Sequence, residues 1–318
     1  MERKKYVDYI KAIGIILVVV GHVNFANSLM KAWIYSFHMP LFFFATGLII
    51  RSERIDKHYI LKKTKSLLIP YVIWGVLYSG YSLSNLLKIG YGSYYALSAA
   101  DSLTSLWFLN TMFLSLLMVQ IILKIKNDYI KLLFTMIMLF VALSLKKIER
   151  GYPWCFDIAC ISSSFVLLGY FWEKYHKRFK YVSNYVIVLI GFALTMIYRS
   201  NLQNCNGYVL MANGRIGDPV LFIGTALGGC LGVYGVTKIL TNIVQAGKIQ
   251  KTLIYLGKNT LAIFLIHKPV IEVFEKMFSL YRMHWGIELV ITTSGTLVVS
   301  CVIGRLIASM TPCLVGKA

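Results

Sequence analysis

Apolar residues run along this chain in stretches of about twenty, the length a helix needs to cross about 30 Å of hydrocarbon, and short polar clusters separate the stretches. The stretches fall near residues 8–27, 33–50, 67–87, 104–123, 130–146, 155–172, 181–199, 219–240, 253–274 and 285–309. The pattern therefore predicts ten membrane-spanning helices, with 33–50 and 130–146 short for a straight crossing. No connecting segment is long enough to fold by itself. The largest, around "RSNLQNCNGYVLMANGRIGD", is about twenty residues and suits a loop that lines a site. With no internal repeat and no low-complexity tract, the expectation is one membrane-embedded domain over 1–318.

Composition agrees with an all-α polytopic membrane protein. The chain is 58% hydrophobic and 14% charged, with a mean hydropathy of +0.67, too apolar for a soluble domain of this size. Its 33 Lys and Arg against 13 Asp and Glu give a net charge of +20. They cluster between the apolar runs and form no soluble basic face, so no nucleic-acid partner is expected. If the N-terminus is cytoplasmic, 20 of the basic residues fall in inner segments and 9 in outer ones, with Lys11, Lys258, Lys268 and Arg305 within or at the ends of spans. This bias places both termini in the cytoplasm. The opening "MERKK" and its apolar sequel read as a first helix and not as a cleaved leader. The six cysteines, at 155, 160, 205, 230, 301 and 313, make no CxxC pair; buried thiols are expected, the alternative being a bridge from Cys155 or Cys160 to Cys205.

The first span, "DYIKAIGIILVVVGH", carries three ionisable groups. Eleven steps from Lys11 to His22 turn a helix by about 1100°, within about 20° of three full turns, and raise it by about 16 Å. The two residues share one stripe, and Asp8 lies about 40° from it. Such groups in lipid cost several kcal/mol unless they face protein or water, so their alignment suggests an internal polar seam. Snorkelling of Asp8 and Lys11, and core packing of His22, account for the geometry equally well. His38 and His267 fall at a similar depth on two other helices, and three histidines at one level fit a general base or proton relay better than separate core packing. No HxxxH or Cys/His spacing supports zinc, and no metal site is expected.

Several segments in order carry a family resemblance: Lys11 and His22 in an [RK]-x10-H pattern, "FHMPLFFFATGL" at 37–48, the basic stretch ending in "LIPY" at 62–71, and "SLWFL" at 105–109. "PWCFDIA" with "LGYF" at 153–171, "NGRIGDPVLF" at 213–222 and "LGKNTLAIFLIH" at 256–267 complete the set. Through them the chain resembles the acyltransferase 3 family of integral-membrane O-acyltransferases, in particular its short, fucose 4-O-acetylase-like members without an extracellular domain. The resemblance implies a ten-helix fold in a bacterial-type cytoplasmic membrane. It also implies transfer of an acyl group, usually acetyl, from cytoplasmic acyl-CoA to a hydroxyl of a carbohydrate at or beyond the outer face. His22 stands at the family's catalytic histidine, Lys11 at its Arg or Lys, and Lys63-Thr64-Lys65 at its R-x-R motif. Here both arginines are lysines, which keeps the charge and loses the bidentate fork.

The expected scheme holds the phosphates of acyl-CoA at Lys62, Lys63 and Lys65, with Lys11 lining the way in; no permanently bound cofactor is called for. His22 would take the proton of the attacking hydroxyl. His38, Asn110 or Trp107 would supply oxyanion donors, and Asp157 would orient or charge-stabilise a histidine. Asp8, His267, Asn213 and Arg215 would contact the substrate, the last two from the outer loop. The basic residues also read as a positive-inside loop. A secondary transporter of a small polar or sugar-like solute would use the same Asp/Lys/His seam, although no paired interrupted helices or repeat support one.

Overall fold

The computed structural model describes residues 4–24, 27–98, 101–145, 151–179, 181–244, 247–279 and 284–317. Among them no strand forms; beside the helix Leu83–Tyr91, the longer helices are α1 Lys5–His22, α2 Ser28–Tyr35, α3 His38–Gly47, α4 Lys57–Lys63, α5 Ile69–Ser79, α6 Trp107–Leu123, α7 Asp128–Ser144, α8 Phe156–Tyr175, α9 Asn184–Thr195, α10 Pro219–Ile243, α11 Lys248–Lys258, α12 Thr260–Phe278 and α13 Trp285–Met310. Among the described residues, three helical stretches are long and apolar enough to cross a membrane: Pro153–Arg178, which is α8 with its flanking 3-10 turns, then α10 and α13. The apolar α6 is shorter.

Three of the other apolar runs are interrupted, each for a local reason. The run 33–50 divides between α2 and α3, where the Ser36 hydroxyl donates to the Trp33 carbonyl at 2.7 Å and the Phe37 N–H donates back to the Ile34 carbonyl at 3.2 Å. The run 67–87 breaks at Gly80, whose φ of +78° ends α5 as only glycine does readily. At Asn259, between α11 and α12, the side-chain amide donates to the Tyr255 carbonyl at 2.9 Å, the usual way Asn competes with helix continuation. All six cysteines are free thiols, so no bridge joins Cys155 or Cys160 to Cys205.

The chain forms two compact units. The first comprises Met1–Ala45, Trp172–Leu210 and Arg215–Gly304. Its centre is α1, packed against α2, α10, α11 and α12, with Tyr9, Ile10, Ala12, Ile15, Val18 and Val19 buried. A Cβ on Gly257 would collide with the backbone of Asp8, so glycine is what lets α11 lie on the start of α1. The same end is fastened by Glu173, whose carboxylate accepts from Lys4 Nζ at 2.5 Å and Tyr6 Oη at 2.8 Å. Helices α9 and α10 meet through glycine: Gly191 faces Gly232, and Gly228 faces Leu194 and Gly191. Small residues allow such close approach of helices, and the van der Waals packing it permits helps hold helices together inside a bilayer.

The second unit comprises Thr46–Phe171, Met211–Gly214 and Arg305–Ala318. Here α4 runs into α5 through a π-helical turn, Thr64–Leu68, against which α6 packs. The Asp56 carboxylate caps α4 by accepting the Tyr59 N–H at 2.8 Å, and that bond holds its pKa below the ordinary carboxylate value. Trp74 Nε1 donates to the Leu314 carbonyl at 2.9 Å, tying α5 to the C-terminal segment.

Candidate active site

Helix α1 delivers His22 at its last position, and α12 delivers His267 from its middle; the two imidazole centroids are 5.0 Å apart. His38 opens α3. His38 and His267 are buried, whereas His22 keeps some exposure. Their hydrogen bonds fix which nitrogens are available. His267 Nδ1 lies 2.7 Å from the Phe264 carbonyl and His38 Nδ1 lies 2.9 Å from the Ile34 carbonyl, so both Nδ1 atoms must carry the proton and donate it. The kink between α2 and α3 is what brings the Ile34 carbonyl to His38. In the neutral rings Nε2 is then a bare lone pair, and the buried Nε2 of His267 has no hydrogen-bond partner among the described residues. Toward a bound molecule these two Nε2 atoms can only accept hydrogen bonds while the rings are neutral. A neutral His38 has no N–H left for an oxyanion.

Tyr35, at the end of α2, sits among the histidines. Its hydroxyl is 3.4 Å from His22 Nδ1, and its ring lies 4.8 Å from His38 and 5.2 Å from Tyr208. Arg215 in turn lies over the Tyr208 ring at 4.8 Å. A ladder of Arg215, Tyr208 and Tyr35 therefore leads from the 198–218 loop to His22. The loop is shaped by buried Asn201, whose amide donates to the Ile216 carbonyl and accepts the Asp218 N–H, both at 2.8 Å. Lower on α1, Asp8 is buried and Lys11 half-buried.

The remaining residues singled out from sequence belong to the second unit. Lys62 and Lys65 are exposed at the π-helical turn, while Lys63 is half-buried with its ammonium 5.3 Å from the Tyr59 ring centre. Burial lowers the Lys63 pKa below the ordinary lysine value, and Glu53 opposes the shift. Trp107 and Asn110 are buried near the start of α6. Asn110 donates to the Gly92 carbonyl at 2.7 Å and accepts the Thr111 N–H at 2.9 Å, so its amide braces the turn after Tyr91. The half-buried Asp157 follows two residues with left-handed backbone, Trp154 and Cys155 (φ +53° and +52°), a strained geometry held by the Trp154 Nε1 bond to Gly90. Asn213 is half-buried in the 3-10 turn Met211–Asn213; the neighbouring Gly214 lies beside the Asp157 carboxylate.

Residues 4–305 match the family model described as "Acyltransferase domain", that of acyltransferase 3. The chain belongs to the acyltransferase 3 family. With its apolar helices, it is a membrane acyltransferase. A comparison with curated proteins gives no significant match.

In this acyltransferase the site contains groups that no sequence pattern singled out. Tyr35 and Tyr208 are two of 21 tyrosines and carry no distinguishing spacing. Asn201 was hidden because a loop asparagine is ordinarily solvated. Substituting Asn201 by leucine is expected to cost about 1–3 kcal/mol for each backbone group left unpaired and to loosen the loop. Faster hydrogen exchange at 202–218 would show this; unchanged exchange would mean that other contacts shape the loop.

Proposed function

We propose that this membrane acyltransferase moves an acyl group, acetyl in the simplest case, from cytoplasmic acyl-CoA to a hydroxyl of a cell-surface or exported carbohydrate. Its home is the cytoplasmic membrane, crossed several times with both termini inside, as the excess of basic residues in inner segments supports. The observation that carries the chemistry is the pairing of partly exposed His22 with buried His267, whose Nδ1 is committed to a carbonyl.

In this scheme the acceptor hydroxyl oxygen forms a bond to the thioester carbonyl carbon while its proton passes to His22. The C–S bond then breaks, and the CoA thiolate takes that proton, so the products are an ester and CoA thiol. His267 takes a further hydrogen bond from the acceptor, and Arg215 with Tyr208 meets it in the loop, where cationic and aromatic groups suit a polyhydroxy ring. Lys62, Lys63 and Lys65 supply the cationic groups that neutralise the donor's phosphates. His38 assists the oxyanion only as an imidazolium, because its Nδ1–H is spent on Ile34.

Acetyl-CoA is expected to raise the thermal midpoint of the purified protein, by mass action on the folded state. Titration from micromolar to millimolar acetyl-CoA, with coenzyme A as a second ligand, measures the shift. A midpoint that moves with a free sugar and not with acetyl-CoA would instead favour solute transport.

A further inference from the structure

We infer that Tyr35 is the positioning residue of His22: its phenol holds the Nδ1 side of the ring and thereby presents Nε2 to the reacting hydroxyl. The inference rests on the acyl-transfer reading above. A histidine that serves as a base through one nitrogen needs a partner on the other to fix its tautomer and orientation, a task that a carboxylate performs in hydrolase triads. Among the described residues, the titratable and charged groups that act on His22 are His267 and Lys268 from α12, His38 from α3 and Lys31 from α2, and none of these is a carboxylate.

The hydroxyl of Tyr35 is on the Nδ1 side of His22, at 3.4 Å. The rings meet at 68° with centroids 6.0 Å apart, so the phenol approaches the imidazole through its edge. The sequence provides for this approach. Residue 21 is glycine, and a Cβ there would stand 3.0 Å from Tyr35 Cε2, closer than such contacts normally run. Packing of the Tyr35 ring with His38 and Tyr208 limits where its hydroxyl can go.

A phenol oxygen accepts the Nδ1–H of a neutral His22, which leaves Nε2 unprotonated as a base requires. When Nε2 gains the proton of the acceptor hydroxyl, the ring becomes cationic and the Nδ1–H···O bond becomes charge-assisted and stronger. Tyr35 thus favours the form that appears during transfer. A bond of 3.4 Å is long at rest, as bonds in unliganded catalytic sites often are before they tighten.

Tyr35→Phe removes the oxygen alone and keeps the ring, so its thermal midpoint should stay near that of the wild type. In full-length protein in lipid nanodiscs, with labelled acetyl-CoA as donor, kcat should fall about tenfold or more while KM for acetyl-CoA stays within about twofold. The acidic limb of the kcat profile should move to lower pH by ~0.5 unit, since the imidazolium loses its acceptor. A second readout needs no turnover: carbethoxylation of His22 by diethyl pyrocarbonate, followed on its peptide by mass spectrometry, should show the same shift of its pH profile. Unchanged kcat with unmoved profiles overturns the inference. So does lost activity with an unmoved carbethoxylation profile, which would place the effect of Tyr35 elsewhere. If the wild type transfers no acyl group, the functional reading falls, and the carbethoxylation arm still decides whether Tyr35 holds His22.

Discussion

Replacing His22 with alanine is expected to lower acyl transfer by roughly 10² to 10⁴-fold, the range contributed by a general base placed on the reacting proton. The size of the effect follows from what else could do the task. His267 is the nearest ring, 5.0 Å away between centroids, but it is fully buried on another helix with its Nδ1 held by Phe264. It cannot move to the vacant position without breaking that bond. His22 is the last residue of α1, so alanine there leaves the helix's backbone hydrogen bonds in place and the protein should fold. Release of labelled ester from acetyl-CoA, in nanodiscs and normalised to folded protein, measures the loss. An alanine variant with full transfer would exclude His22 as the base.

The second large effect concerns stability. Gly191→Leu is expected to destabilise the protein by about 3 kcal/mol or more, the upper range for forcing volume into a packed interior. A Cβ at 191 would stand 2.5 Å from the Gly232 backbone nitrogen and 2.8 Å from the Gly228 carbonyl oxygen. Both obstacles are backbone, which cannot rotate aside, so α9 and α10 would have to separate along the face that joins them. Gly224 on the same α10 serves as the control: a Cβ there meets nothing within 4 Å, and Gly224→Ala should leave the thermal midpoint unchanged or raise it slightly. A Gly191→Leu protein that melts with the wild type would mean that α9 and α10 do not pack through this glycine contact.

Much of this chain could be read from its letters because the bilayer makes composition informative. An apolar run must become a helix in lipid, since only a helix satisfies its own backbone groups. For the same reason the polar positions within such runs stand out. Helical periodicity alone aligned Asp8, Lys11 and His22, and depth along three runs placed His38 and His267 at the level of His22. The order of short motifs pointed to the family whose model covers residues 4–305.

Where helices break was harder to read, since hydropathy averages over a window and a break is decided by single hydrogen bonds. Ser36 turning onto Trp33, Gly80 entering positive φ and Asn259 donating to Tyr255 leave the apolar count almost unchanged. Only the tertiary structure could bring Tyr35 to His22, because the contact depends on the turn between two helices and on the Cβ missing at Gly21. It also decided which imidazole nitrogens are committed, through the carbonyls of Ile34 and Phe264. Period and composition alone specify the helical class and the stripe that carries His22, while the ordered motifs carry the family. The partners of that histidine depend on where separate helices cross, and that is set by three-dimensional packing.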